Sequence, residues 1–226
     1  MRHEIVLDGF VITSDNSAAI GEKPQDAVYA SDVVTAKFAA RVALLEQWAA
    51  GSEPQAVLLH NFSGADQWAA YMAGLTELFA EAGSVLPPIS GSTETNMPTL
   101  QSGIAVTMIG KKNRNLAPAE SLRWFVYGVP LIGEKVLARA DQTADLGLIQ
   151  KAFGSALVER IWPVGSKGIA QEVALLMGRP VKVSAAIDMN SSGGPATCVL
   201  VGVQPKNAER AQRYFGENLF LMKFRL

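Results

Sequence analysis

Three carboxylates stand where a core side chain is not expected. Asp15 and Glu94 lie in polar, turn-rich stretches, and Glu46 lies among small residues on the helical stripe Ala39, Ala43, Glu46 and Ala50. Carboxylates brought together from separate segments are the usual means of holding Mg²⁺, a hard cation that takes oxygen ligands and shares its shell with substrate phosphates. Around Glu94 the run Ser90-Gly91-Ser92-Thr93-Glu94-Thr95-Asn96 adds hydroxyls, a glycine and backbone N–H groups, a set that suits phosphate oxygens. Two further loops, Ser166-Lys167-Gly168 ahead of a helix and Asn190-Ser191-Ser192-Gly193-Gly194 ahead of a strand, are weaker candidates for anion or substrate contact. The plain alternative is that Asp15 caps a turn while Glu46 and Glu94 are solvated.

Much familiar chemistry is excluded. The chain holds no Walker motif, no GxGxxG after a strand, no HExxH and no GxSxG. One cysteine, Cys198, cannot form an internal disulfide, and two histidines, His3 and His60, cannot build a Cys/His zinc cluster. With 20 Lys+Arg against 21 Asp+Glu and a net charge of −1, the chain offers no footprint for nucleic acid, and its basic residues are scattered. Charged residues make up only 18% of the 226, so much of the surface is expected to be neutral or buried in an oligomer interface. The N-terminus is charged at once and lacks the apolar stretch of a secretory signal, and no run is long enough to span a bilayer. A cytoplasmic protein without membrane contact is the expectation.

The elements that must position these residues read as α+β. Glu4 to Thr13 is expected as one or two strands broken at Asp8-Gly9, with a polar loop over Ser14 to Lys23. A helix capped by Asp32 runs to the Gly51 stop, with Phe38, Val42, Leu45 and Ala49 on one stripe. Ala56 to His60 is a strand, Ala65 to Ala82 a second amphipathic helix, Ser90 to Asn96 a polar stretch, and Gly103 to Ile109 a β-branched strand. The polar segment Gly110 to Pro118 marks a domain boundary, placed between residues 112 and 113. Beyond it the pattern predicts strands at Leu122–Tyr127, Val136-Leu137, Arg160–Pro163, Val181–Ile187, Ala196–Val203 and Leu219–Phe224. Helices are predicted from Asp141 to Gly154, from Gly168 to Gly178 and from Pro205 to Phe215.

The order of these features resembles the aminoimidazole ribonucleotide (AIR) synthase superfamily. The loop Thr13-Ser14-Asp15-Asn16-Ser17-Ala18-Ala19-Ile20-Gly21-Glu22-Lys23 is similar to its Asp-Gly-x-Gly-x-Lys segment. Arg41 to Glu46, continuing through Gly51-Ser52-Glu53-Pro54, resembles its Asn-Asp helix ending in Gly-Ala-x-Pro, with Glu46 at the Asp position. Ser90 to Pro98 resembles its Gly-Gly-Glu/Asp-Thr loop, and aligned without a gap Thr93, not Glu94, falls at the acidic position. Within the superfamily the combination looks most like the alpha-ribazole kinase branch.

That resemblance implies an N-terminal domain (residues 1–112) whose sheet pairs with that of a second copy into a dimeric β-barrel flanked by helices. It also implies a smaller C-terminal α+β domain (113–226). It implies an ATP- and Mg²⁺-dependent kinase acting on the 5′-hydroxyl of alpha-ribazole, the nucleoside of the cobalamin lower ligand. Asp15, Glu46 and Glu94 would be the metal ligands and Asp15 and Lys23 the catalytic pair. Asn16, Lys23, Ser92, Thr93, Thr95 and Asn96 would contact nucleotide or substrate. Other members of the superfamily suggest thiamine monophosphate kinase or AIR synthase chemistry, or a dimer that binds a nucleotide or precursor without turnover.

Overall fold

The computed structural model describes residues 4–225, so His3 lies outside the described residues. The chain divides into two compact units of nearly equal length, one ending at Arg114 and the other beginning at Asn115, rather than a larger and a smaller one. Each mixes strands with helices, giving an α+β fold.

The first unit opens with a hairpin. β1 (Ile5–Leu7) and β2 (Phe10–Ala18) are joined by Asp8-Gly9, both at positive φ (49° and 81°), the two-residue turn whose twist matches the strands it connects. β7 (Gly103–Lys112) runs antiparallel to β2, β5 (Ser52–Asn61) lies antiparallel on its other side, and β6 (Ile89–Thr93) is parallel to β5. The order is β1-β2-β7-β5-β6. Two stretches expected as polar loops are therefore strand. Ser14 to Ala18 extend β2 because each pairs with a residue of β7, which satisfies the backbone N–H and C=O groups whatever the side chain. Ser90 to Thr93 form β6, an edge strand whose outer side faces solvent and tolerates hydroxyls.

One face of this sheet is covered. α1 (Asp32–Ala49) and α2 (Trp68–Glu81) bury Val11, Val57, Leu59, Ile104, Val106 and Met108. The cap of α1 is Ser31 rather than Asp32: its Oγ accepts from Val34 N–H at 3.3 Å, and Asp32 is the first helical residue. Thr13 Oγ1 donates to the Ala43 carbonyl at 2.8 Å, and Gln47 Nε2 donates to the carbonyls of Val11 and Met108, each at 2.9 Å. These bonds fix α1 antiparallel to β2, each contributing on the order of 1 kcal/mol net. Side chains on the other face, among them Phe10, Ile12, Leu58, His60 and Ile109, are half-buried or exposed. The sheet is open, with β1 and β6 at its edges, and no closed barrel forms among the described residues. Along β1, Ile5, Val6 and Leu7 are 62%, 58% and 61% exposed. Two short strands, β3 (Ile20–Gly21) and β4 (Val28–Tyr29), pair in parallel and bracket the loop that carries Lys23.

The second unit holds the antiparallel sheet β12-β8-β11-β9. β8 (Arg123–Tyr127) and β11 (Val199–Val203) are central, with β9 (Arg160–Pro163) and β12 (Leu219–Leu221) at the edges. Trp124 and Val126 pack with Ile169, Val173 and Leu176 of α5 (Gly168–Met177) on one face. On the other, the Tyr127 ring lies 4.5 Å from that of Phe215 in α6 (Ala208–Phe215). The expected strand at Val136-Leu137 is instead α3 (Lys135–Ala138). Gly133 at φ 58° starts a turn there, and local bonds to the carbonyls of Gly133 and Glu134 hold it. The helix expected from Asp141 is α4 (Leu146–Gly154), whose start is set by Asp145, its Oδ1 accepting from Leu148 N–H at 2.7 Å. The strand expected over residues 181–187 shortens to β10 (Lys182–Ser184), and the last one breaks at Met222, leaving β13 (Lys223–Arg225) to pair with β10.

Candidate functional site

One end of the first sheet gathers the polar side chains. β2, β5 and β6 end there, β7 begins there, and the Lys23 loop docks against the segment that leads into β7. Within the turn Lys23-Pro24-Gln25-Asp26, Asp26 N–H donates to the Lys23 carbonyl and Lys23 N–H donates to Asp26 Oδ2 at 2.9 Å. The same carboxylate accepts from Ser102 N–H and from Ser102 Oγ, each at 2.7 Å. Gly21 permits this approach, since a Cβ there would lie 2.3 Å from Ser102 Oγ. Lys23 Nζ donates to the Thr99 carbonyl at 2.8 Å and to Thr99 Oγ1, which in turn donates to the Phe62 carbonyl.

Beneath this lies a second set of bonds. Asn61 Oδ1 accepts from Ser63 N–H at 2.8 Å, and its amide nitrogen donates to Thr93 Oγ1 at 3.4 Å. Ser63 Oγ is 2.6 Å from the Tyr71 hydroxyl and accepts from Gly103 N–H. Burial pushes the Tyr71 phenol up to about 12. Asp32 is 4% exposed; burial raises its carboxyl, and the neighbouring charge of Glu22 adds to the rise. Burial also works to raise Asp26, but the bonds from Ser102 and Lys23 outweigh it and hold that carboxyl below its usual range.

The register across the sheet sorts the residues singled out by sequence. Asp15 pairs with Val106, which pairs with Leu59, which pairs with Gly91, so Asp15 is on the helix-covered face. Thr93 shares that face one row further on, in line with Asn61, Ile104 and Ser17. Asn16 and Ser92 share a row with Ala105 and His60 on the opposite, uncovered face. The structure thus parts Asn16 and Ser92 from Asp15 and Thr93. From β2 to β6 is three strand spacings, roughly 14 Å, which separates Asp15 from Thr93 and Glu94. Glu94 Oε1 accepts from Asn96 N–H at 2.7 Å and from Met97 N–H at 3.3 Å, bracing its own turn, while Thr95 and Asn96 are exposed beside it. Glu46 is half-buried on α1, fourteen residues beyond Asp32 and hence about 21 Å along the helix from the polar end.

Among the described residues no three His, Cys, Asp or Glu side chains converge as a metal site. The oxygen donors fit Mg²⁺ only as one or two carboxylates sharing an ion with phosphates, the ordinary arrangement for that cation. In the second unit, Ser166 and Lys167 are exposed ahead of α5, and Asp188 binds Asn190 N–H at 2.9 Å and Ser191 Oγ at 2.5 Å within an exposed loop. Asp26, Thr99, Ser102, Asn61 and Tyr71 escaped the sequence reading. Only Asp26 carried a local signal, the Lys-Pro-x-Asp turn; its main partner is 76 residues away.

No protein-family model matches the chain, and no curated protein is similar to it in sequence. Solved structures are similar. Thiamine monophosphate kinase from Aquifex aeolicus aligns over 99% of this chain and 88% of its own, at 12% identity and a TM-score of 0.64. The hydrogenase maturation protein HypE in complex with ATP aligns over 94% and 76%, at 10% identity and 0.61. Thermotoga maritima PurL complexed with AMPPCP aligns over 99% of this chain at 10% identity and 0.59. The chain has the fold of these proteins. It spans 42% of the length of PurL. Among the described residues no helix is long and apolar enough to cross a membrane.

Proposed function

We propose that the chain is an ATP- and Mg²⁺-dependent small-molecule kinase with alpha-ribazole as acceptor, working as a cytoplasmic homodimer. The observation that carries the reading is the Lys23 ammonium on Thr99: it ties the loop that resembles the superfamily's Asp-Gly-x-Gly-x-Lys segment to the residue directly after the Ser90–Pro98 stretch. Neighbours of the same fold, solved with ATP or AMPPCP, support it.

Phosphoryl transfer demands alignment and neutralisation of spreading charge more than covalent help from the protein. The acceptor hydroxyl oxygen bonds to the γ-phosphorus as the bridging P–O bond breaks, ADP departs, and the hydroxyl proton passes to solvent. Lys23 would leave Thr99 to pair with phosphate oxygens, and Thr93, Thr95 and Asn96 would donate hydrogen bonds to them. Asp15 and Glu94 stand too far apart to share one ion, so each would hold a Mg²⁺ of its own together with phosphate oxygens, and the metal would supply charge neutralisation. Glu46, 21 Å along α1 from the polar end by the helical rise of about 1.5 Å per residue, has no such placement to support it. Asn16 and Ser92 belong to the uncovered sheet face, where a second copy, pairing its own sheet into a barrel, would bury them with Ile12, Leu58 and His60.

The second reading is a nucleotide-binding dimer without turnover, favoured by the wide spacing of Asp15, Glu46 and Glu94. One experiment separates them: incubation with Mg²⁺ and ATP, with and without alpha-ribazole, followed by mass spectrometry. Alpha-ribazole 5′-phosphate supports the kinase. Nucleotide binding with no phosphorylated product supports the second reading, and absence of any nucleotide binding refutes both.

A further inference from the structure

We infer that Asp26 is a positioning residue: its carboxylate couples the Lys23 loop to the segment 99–102, so that the two open together and the Lys23 ammonium is held in place. The inference rests on the nucleotide reading above for the purpose of the coupling, though not for the coupling itself. One side chain accepts three donors, Lys23 N–H from its own loop and Ser102 N–H and Oγ from the other. Ser102 is buried and Asp26 half-buried, and bonds to an ionised acceptor are the stronger kind. Flanking ties run the same way: Ala19 N–H donates to the Ser102 carbonyl, and Gln101 Nε2 donates to the Gln25 carbonyl.

The division of labour follows from which atoms are used. Asp26 grips the backbone of Lys23, whereas the Lys23 side chain reaches out to Thr99 by its ammonium alone. The ammonium can exchange Thr99 oxygens for those of a phosphate while the loop beneath stays docked. Gly21 reinforces this, because no side chain at that position could pass Ser102.

The test compares wild type with Asp26→Asn, Lys23→Met, the double variant and Ser102→Ala, which removes a single donor should Asp26→Asn fail to fold. Amide hydrogen exchange reads the coupling, and calorimetric titration with Mg²⁺ and AMPPCP reads the site. Asp26→Asn should speed exchange at Lys23, Ala19 and Ser102 together by about tenfold or more, and weaken AMPPCP by about tenfold, the worth of one charge-assisted bond. In the double variant AMPPCP should bind no more weakly than in Lys23→Met alone, because Asp26 acts through Lys23. Faster exchange in one loop only, or in neither, overturns the coupling; additive losses in the double variant overturn the positioning role. A wild type that binds no AMPPCP overturns the nucleotide reading and the purpose of the device, and the exchange result still decides the coupling.

Discussion

Raising the pH from 10 to 12 probes the frame of the site through Tyr71. The side chain is fully buried, its hydroxyl 2.6 Å from Ser63 Oγ, which itself holds Gly103 at the start of β7. Burial lifts the phenol to about 12 in the folded chain, against about 10 when unfolded. Between these values the unfolded chain has released a proton that the folded chain keeps. Stability is therefore fully present below pH 10 and falls with rising pH by up to about 1.4 kcal/mol per unit, a total of roughly 2 kcal/mol by pH 12. Tyr71→Phe lacks this titration. It starts about 1 kcal/mol below wild type, because Ser63 loses a partner, but does not share the decline. Urea unfolding of both proteins at pH 9, 10, 11 and 12 gives the difference, in which the lysines and the other tyrosines cancel. The two curves should cross, with the Phe variant the more stable at pH 12. A difference that stays constant across the range would refute the buried, proton-retaining phenol.

Asp15→Asn should abolish phosphorylation of the acceptor while its thermal midpoint stays within a few degrees of wild type, since a half-buried strand carboxylate adds little to the core; unfolding of the variant would show that Asp15 is structural. Gly91→Ala should destabilise the first unit by about 1–3 kcal/mol in urea titration, because its Cβ would sit 1.9 Å from the Leu59 carbonyl oxygen; a neutral variant would mean that β6 moves freely. Ile5→Glu should convert the proposed dimer to monomer in sedimentation, since Ile5 is 62% exposed on an open edge strand and pairs with Ile12 on the uncovered face; an unchanged mass would place any interface elsewhere.

What was legible in the sequence was what local chemistry decides. Asp8-Gly9 announces a hairpin because two residues at positive φ are cheap there, and the apolar spacing of Val42, Leu45 and Ala49 announces α1. Ser14 to Ala18 and Ser90 to Thr93 read as loops because hydroxyls, Asn and Gly favour turns, yet both are strands. Their pairing is imposed by β7 and β5, whose sequences lie far away, and propensity yields to it. Glycine at position 91 reads as flexibility for a phosphate, whereas its neighbour shows a tighter demand: the Leu59 carbonyl leaves no room for a side chain.

The same distinction governs the site. Type and order of residues brought Lys23 and the Ser-Thr-Glu-Thr-Asn run to notice, yet the Lys23 loop docks on Thr99 and Ser102, beyond that run. Type and order say nothing about which face of a strand a residue takes. A change of one position along β2 carries Asn16 to the uncovered face and Asp15 to the covered one. Nor do they say how far a helix carries a carboxylate: Glu46 stands in a matching motif but lies down the helix from the polar end. Asp26, with its decisive partner 76 residues away, became visible only once β7 had brought Ser102 beside the Lys23 loop. Chemistry suggested by composition is thus a list of candidates, and strand register together with helix length decides which of them can meet at one phosphate.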